Sequence, residues 1–288
     1  MQLKETTQIL IVGLGLLGGS YAMALSKKGY HVEAITLEPR DIEYGITHNL
    51  IESGATEVEP ERIARANLII FALYPHVFEE WIDRYGNLIQ PGTLITDVTG
   101  VKGALLNRIQ SKLPDQVEFI AAHPMAGREV SGVENSDDRI FKEANYIVVP
   151  TEKNTPEGIE ACKELGALIG CRHISVLEPD KHDEMIAFLS QLAHCIAVSL
   201  MCCHGEHKLV DYTGDSFRDL TRIANINDEM WSELFLVNKE HLLKEMDLFA
   251  ENFSALRNAL AGEDREEMRR MMRLSTERRS WFDKKGDN

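Results

Sequence analysis

The sequence predicts two domains of different class. Residues 1–177 read as an α/β domain on a mainly parallel sheet, and residues 178–288 as an all-α helical domain. Three observations carry this. An apolar, β-branched run at 8–12 stops abruptly in glycines. Further short apolar runs alternate with helical stretches as far as 177. Beyond 178 the strand-like runs vanish, and apolar residues recur at intervals of three and four. Strands that are apolar along their whole length belong to a parallel sheet covered on both faces, whereas the longer spacing marks one face of a helix.

Residues 8–12 form the first predicted strand, and Gly13, Gly15 and Gly18 follow it with the spacing of a dinucleotide-binding turn. The first glycine permits the tight turn. The second lets the backbone approach a pyrophosphate, and the third lets the next helix pack on its strand. Leu16 and Leu17 complete the turn, and 20–28 supplies a helix whose amino end faces the phosphates. The domain is therefore expected to be of the Rossmann type.

A second strand at 31–37 ends at Thr36, where an acidic residue would bind the adenosine ribose and favour NAD. Threonine leaves room for a 2′-phosphate that Arg40 could pair, while Glu38 could serve the ribose instead. The cofactor expected is NAD or NADP, with the choice open. A helix at 40–52 leads through an acidic loop to a strand at 67–73, with Leu73 and Tyr74 at its carboxyl end. A helix at 77–85, a strand at 93–98, a helix at 101–112 and a strand at 117–122 continue the alternation. Strands at 146–150 and 173–177, around a helix at 156–169, are expected to extend the same sheet. The second domain then offers helices at 179–207, 216–224, 228–260 and 265–282. Long apolar helices of this kind pack on a second copy, so a homodimer is expected.

The chain carries 31 Lys and Arg against 46 Asp and Glu, a net charge of −15. This opposes nucleic acid and anionic membranes as partners but allows a small anionic substrate in a locally basic pocket. No signal peptide and no apolar run of bilayer-spanning length is read, which places the protein in the cytoplasm. The five cysteines, an odd number without a CxxC pair, suit reduced thiols. The stretch CCHGEH at 202–207 lacks a second ligand cluster, so no metal is expected. Arg269, Arg270, Arg273, Arg278 and Arg279 are interleaved with Glu266, Glu267 and Glu277, which reads as ion pairing on a solvated helix face.

Ligands of an open parallel sheet bind beyond the carboxyl ends of its strands. Three polar clusters fall there, at 74–76, 97–103 and 123–132. His123 directly follows an apolar strand and is fixed by Pro124, and its near-neutral pKa suits the proton transfer that accompanies a hydride step. The helical domain adds His194, and Arg218 and Arg222 one helical turn apart. A guanidinium is a natural receptor for a carboxylate. Arg218 reads better as a surface ion pair, Arg222 as a substrate ligand.

These pieces together resemble the prephenate and arogenate dehydrogenases of tyrosine biosynthesis. The resemblance rests on GLGLLGGS at 13–20, HPMAGREVSG at 123–132, SQLAH at 190–194, FRDLTRIA at 217–224 and MW at 230–231. It implies oxidative decarboxylation: hydride leaves the ring carbon that bears the hydroxyl, the ring carboxylate departs as carbon dioxide, and the ring becomes aromatic. By this resemblance His123 accepts the hydroxyl proton, Arg222 and His194 hold substrate carboxylates, and Glu129 and Trp231 shape the pocket. Where the family has a serine before the VKG at 101–103 this chain has Gly100, and Thr99 is the hydroxyl expected to take over. Gln191 and Ala193 replace a histidine and a proline, and Arg128 brings a charge to the pocket loop. Neither a fused mutase nor a regulatory domain is expected.

Two other classes compete. A hydroxyacid dehydrogenase of similar plan would use a lysine on a helix of its second domain, where this chain offers His182 and His194. A nucleotide sensor without catalysis has Gly100 as its one argument, against His123, Glu129, His194 and Arg222 together.

Overall fold

A computed structural model describes residues 3–283. Six strands form the central sheet: β1 (Gln8–Val12), β2 (His31–Ile35), β3 (Ser53–Ala55), β4 (Leu68–Phe71), β5 (Leu94–Asp97) and β6 (Glu118–Phe119), in the order β3-β2-β1-β4-β5-β6. All five pairings are parallel. The register aligns Val12 with Ile35 and Phe71, and Phe71 with Asp97, so the carboxyl ends of four strands form one edge. The strand order reverses between β1 and β4, which opens a ligand crevice at that edge. Helices α1 (Leu16–Ser26), α2 (Pro39–Thr47), α3 (Pro60–Arg65), α4 (Pro75–Tyr85) and α5 (Gly103–Lys112) make the crossovers. One buried cluster, with Ile9, Ile11, Leu25 and Tyr21, and a second, with Phe71, Phe78 and Phe119, cover the two faces.

The remaining strands correct the expectation of a single sheet. Residues 117–122 do not make one strand: β6 ends at Phe119, and β7 (Ala121–Pro124) belongs to a second sheet. That sheet has the order β7-β8-β9, with β8 (Asn145–Val149) antiparallel to β7 and parallel to β9 (His173–Val176). Helix α6 (Pro156–Leu168) joins β8 to β9, its first turn capped by the Thr155 hydroxyl. Periodicity marks both pieces as apolar and cannot say which sheet they join. The short β3 and α3 fall in stretches read as loop.

The helical part also departs from its expected lengths. Helix α7 (Pro179–Ile186) passes through a π-helical segment, Ala187–Leu192, into α8 (Ala193–Cys202). This continuous helix, Pro179–Cys202, is by length and composition apolar enough to cross a membrane, contrary to the sequence expectation. Its polar residues are nevertheless bonded within the fold, Gln191 to the Leu234 carbonyl and Asp183 to the Lys102 amide. Helix α9 (Asp215–Thr221) ends just before Arg222, and the stretch expected at 228–260 is broken at Asn238 into α10 (Asp228–Val237) and α11 (Lys239–Ala261). The chain divides into two compact units between Asn238 and Lys239. The second unit contains α11 and α12 (Arg265–Ser280), where Glu266 pairs with Arg269 and Glu267 with Arg270.

Gly18 shows how closely α1 sits on its strand: a Cβ there would lie 2.0 Å from the Gly13 carbonyl oxygen. Because that neighbour is backbone, Gly18→Ala is expected to destabilise the fold by about 1–3 kcal/mol, read as a lower denaturation midpoint.

Candidate active site

The glycine turn is built for close approach. Gly13 has φ +94°, and a Cβ on it would lie 2.5 Å from the Ala72 carbonyl and 2.9 Å from Leu73 Cδ2. Gly15 caps α1 with no side chain, and a Cβ there would meet nothing within 4 Å. The first-turn amides, among them those of Leu16 and Leu17, have no acceptor within the helix, so the open space above Gly15 is a cradle for an anion. The chain's turn thus fits a dinucleotide pyrophosphate.

At the adjacent strand end Thr36 is half-buried, and its amide donates to the Ala55 carbonyl. Glu38 is exposed at the start of α2, and Arg40 is exposed with its guanidinium 3.5 Å from Asp41. No carboxylate occupies the strand end itself. Glu33, the acid within β2, is spent on Arg62 and Arg65, which with Ser53 draw its pKa below the usual carboxylate value against the effect of burial. Tyr74 precedes α4, and its hydroxyl accepts from Asn227, the capping residue of α10.

His123 lies in β7 opposite Ile147. Its Nδ1 is 3.0 Å from Nε2 of the buried His182, whose Nδ1 is 2.7 Å from Asp183 Oδ1. Burial foremost, then His182 and Lys102, hold the His123 pKa well below its ordinary value. On its other side the ring faces Gly100, where a Cβ would stand 3.9 Å from His123 Nε2 and 3.6 Å from Leu234 Cδ1. Leu234 belongs to α10, as does Trp231, whose ring lies against His194 at a tilt of 30° with centroids 3.7 Å apart. His194 Nδ1–H donates to the Ser190 carbonyl at 2.9 Å, which leaves Nε2 bare in the neutral ring. Burial lowers its pKa, the field of Glu129 opposes that shift, and Arg222 reinforces it. Arg222 itself donates to Glu129. The fold therefore brings Glu129, His194, Arg222 and Trp231 together. Arg128 pairs instead with Asp137, which Arg139 also holds.

Thr99 is a correction. Its hydroxyl donates to Asp97 and accepts from Lys102 Nζ at 3.2 Å, all within a buried group, so it does not stand in for the serine. Sequence reading also gave no role to Lys102, Asp183 and Asn238, and weighed His182 only as standing where another class would carry a lysine. Lys102 Nζ donates to both Asp97 oxygens, at 2.9 and 2.7 Å, and to the Ala122 carbonyl at 2.6 Å. Gln191 is buried and joins the Leu234 carbonyl to the Asn238 amide. The lysine within the polar strand-to-helix turn at 97–103, five residues after Asp97, was the available signal for Lys102. Among the described residues no group of three or more His, Cys, Asp or Glu side chains could hold a metal ion.

The family description "Prephenate dehydrogenase, nucleotide-binding domain" matches residues 21–175, and "Prephenate dehydrogenase, dimerization domain" matches 178–274. The chain belongs to the prephenate dehydrogenase family. It is 29% identical to prephenate dehydrogenase of Bacillus subtilis over 96% of this chain and 76% of that one. It is 26% identical to cyclohexadienyl dehydrogenase of Zymomonas mobilis, over 89% of each. Among solved structures it resembles prephenate dehydrogenase from A. aeolicus in complex with hydroxyphenyl propionate and NAD+, with a TM-score of 0.89 and 26% identity over 98% of this chain and 100% of that chain. As a member of this family the chain is an NAD- or NADP-dependent oxidoreductase.

The open space at Gly15 separates cofactor binding from folding. Its φ of −90° suits alanine, so Gly15→Ala should leave the thermal midpoint unchanged and weaken dinucleotide binding, measured by nucleotide titration.

Proposed function

We propose that the chain oxidatively decarboxylates prephenate, or its amino counterpart arogenate, and works as a cytoplasmic homodimer. The observation that carries the reading is His123 beside the open position at Gly100, one residue past Ala122, whose amide bonds Asp97 at the carboxyl end of β5. Arg222 supports it as the permanent cation for a substrate carboxylate, currently engaged by Glu129, which the incoming carboxylate would displace. Neutral His194 accepts at Nε2 and donates to a carboxylate only once protonated. Trp231 against His194 gives the ring an apolar wall. Gly13, Gly15, Leu16, Leu17, Gly18 and Leu73 would hold the dinucleotide, with Thr36, Glu38 and Arg40 at the ribose end.

His123 Nε2 accepts the proton of the ring hydroxyl, whose carbon becomes a carbonyl carbon. The nicotinamide, when bound, supplies the two-electron acceptor for the hydride leaving that carbon. Arg222 and His194 keep the ring oriented while carbon dioxide departs, and His123 returns its proton to the phenolate oxygen. Aromatisation provides the driving force, so the chain's task is to orient and to hold one proton. The apolar residues exposed on the second unit, among them Leu243, Leu248, Phe253 and Leu260, support a second copy as the cover of this family's dimerization domain.

Turnover is tested by reduced-nicotinamide absorbance with prephenate or arogenate and NAD or NADP; silence in all four combinations, with dinucleotide bound, would overturn the reading. His123→Ala should abolish turnover and leave cofactor affinity unchanged. Because His123 titrates well below about 6.5, its base form persists on acidification, so the acid limb of kcat/KM should lie below that pH. Arg222 is 63% exposed, so the low end of a charge-assisted contact applies. Arg222→Ala should cost about 1.5 kcal/mol, seen as a roughly tenfold higher KM with kcat little changed.

A further inference from the structure

Behind His123, on the side away from Gly100, stands a buried chain of hydrogen bonds. His123 Nδ1 meets His182 Nε2 at 3.0 Å, and His182 Nδ1 meets Asp183 Oδ1 at 2.7 Å. Asp183 is anchored from the opposite direction: the Lys102 amide donates to Oδ1 at 2.9 Å and the Gly103 amide to Oδ2 at 2.7 Å. Its own carbonyl accepts from Asn238 at 2.9 Å. His182 and Asp183 are 0% and 5% exposed, so no water competes for these bonds.

The protonation pattern of this chain follows from the acceptor at its end. An ionised carboxylate can only accept, so His182 Nδ1 must carry hydrogen. In the neutral ring its Nε2 is then bare and can only accept, which requires hydrogen on His123 Nδ1. That in turn leaves His123 Nε2 bare, and Nε2 is the atom that faces Gly100. The opposite direction would need a doubly protonated His182. Burial, with Lys102, disfavours that form more than Asp183 and Asp97 favour it.

We propose that His182 and Asp183 are positioning residues of the reaction, which lock His123 in the tautomer that accepts at Nε2 and share the proton it receives. As the substrate O–H bond breaks and an N–H bond forms at His123 Nε2, the Nδ1 hydrogen of His123 moves onto His182 Nε2. The positive charge then lies beside the Asp183 carboxylate. The movement reverses when the phenolate takes its proton back, so no net proton or electron leaves the pair. The groups that face this pair are Asp183 on its own helix, Lys102 at the start of α5 and Asp97 at the end of β5.

The inference rests on His123 acting as the base, and its test has an arm that needs no turnover. In protein labelled with ¹⁵N-histidine, free of substrate at neutral pH, His123 should show hydrogen on Nδ1 and none on Nε2. His182→Leu removes the acceptor and should shift His123 toward the Nε2–H tautomer; His182→Gln keeps an acceptor oxygen and should restore the original one. With substrate, His182→Leu should lower kcat by about 10–100-fold at nearly constant KM, and His182→Gln, which keeps the acceptor but cannot take the proton, should recover only part of that loss. An Nε2–H tautomer in the unmodified protein would overturn the proposal, as would full activity in His182→Leu where His123→Ala is inactive. Activity retained in His123→Ala would instead overturn the role of His123 itself.

Discussion

The geometry of the site depends on how one strand edge is satisfied. The chain leaves the parallel sheet after Ile120, whose amide makes the last backbone-to-backbone bond to β5 at 2.9 Å before β7 begins. From there its free edge faces the protein interior, where an unpaired backbone group would be costly. Asp97 and Lys102 replace the missing strand: the Ala122 amide donates to Asp97 Oδ1, and the Ala122 carbonyl accepts from Lys102 Nζ. Their side chains are 0% and 1% exposed, a burial that only full hydrogen bonding makes tolerable. Lys102 makes four bonds and Asp97 accepts five, counting the Thr99 amide and hydroxyl. The residue after Ala122 is His123, so this pair fixes the backbone that carries the proposed base.

The helical side is held to the same point by a second polar node. Asn238 ends α10 and bonds the Asp183 carbonyl and the Gln191 side chain, and Gln191 bonds the Leu234 carbonyl. In a regular helix His182 and His194, twelve residues apart, would point about 120° apart. The π-helical turn at Ala187–Leu192 rotates less per residue and narrows that angle. One helix can then serve both His123, through His182, and the pocket wall, through His194.

Sequence shows those features that are local. The first strand, its glycine turn and the helix that follows occupy consecutive residues, and each has a short-range cause. His123 was legible for the same reason, as a polar residue at the end of an apolar run. What stayed hidden depends on pairing between distant segments. The split of 117–122 between two sheets is decided by β8, since both pieces are equally apolar. Thr99 looked available for a role beside His123, but an acid two residues earlier and a lysine three later claim its hydroxyl. His182 was weighed only as standing where another class would carry a lysine, and only the approach of α7 to β7 gives it His123 as a partner.

Gly100 follows from the same approach of α7 to β7. An imidazole has two nitrogens, and a hydrogen bond at either one fixes both its orientation and its tautomer. A hydroxyl at position 100 would act from the Nε2 side, the side on which substrate must also arrive. In this chain the bond to His182 acts on Nδ1 within the buried interior, so the ring is held without anything occupying its reactive edge. The open position beside Leu234 then becomes room for a substrate oxygen, bounded by an apolar methyl at 3.6 Å from the site a Cβ would take. In the proposed role of His123, a base held from behind and bare in front meets the demand of the reaction, which is to receive one proton and to give it back.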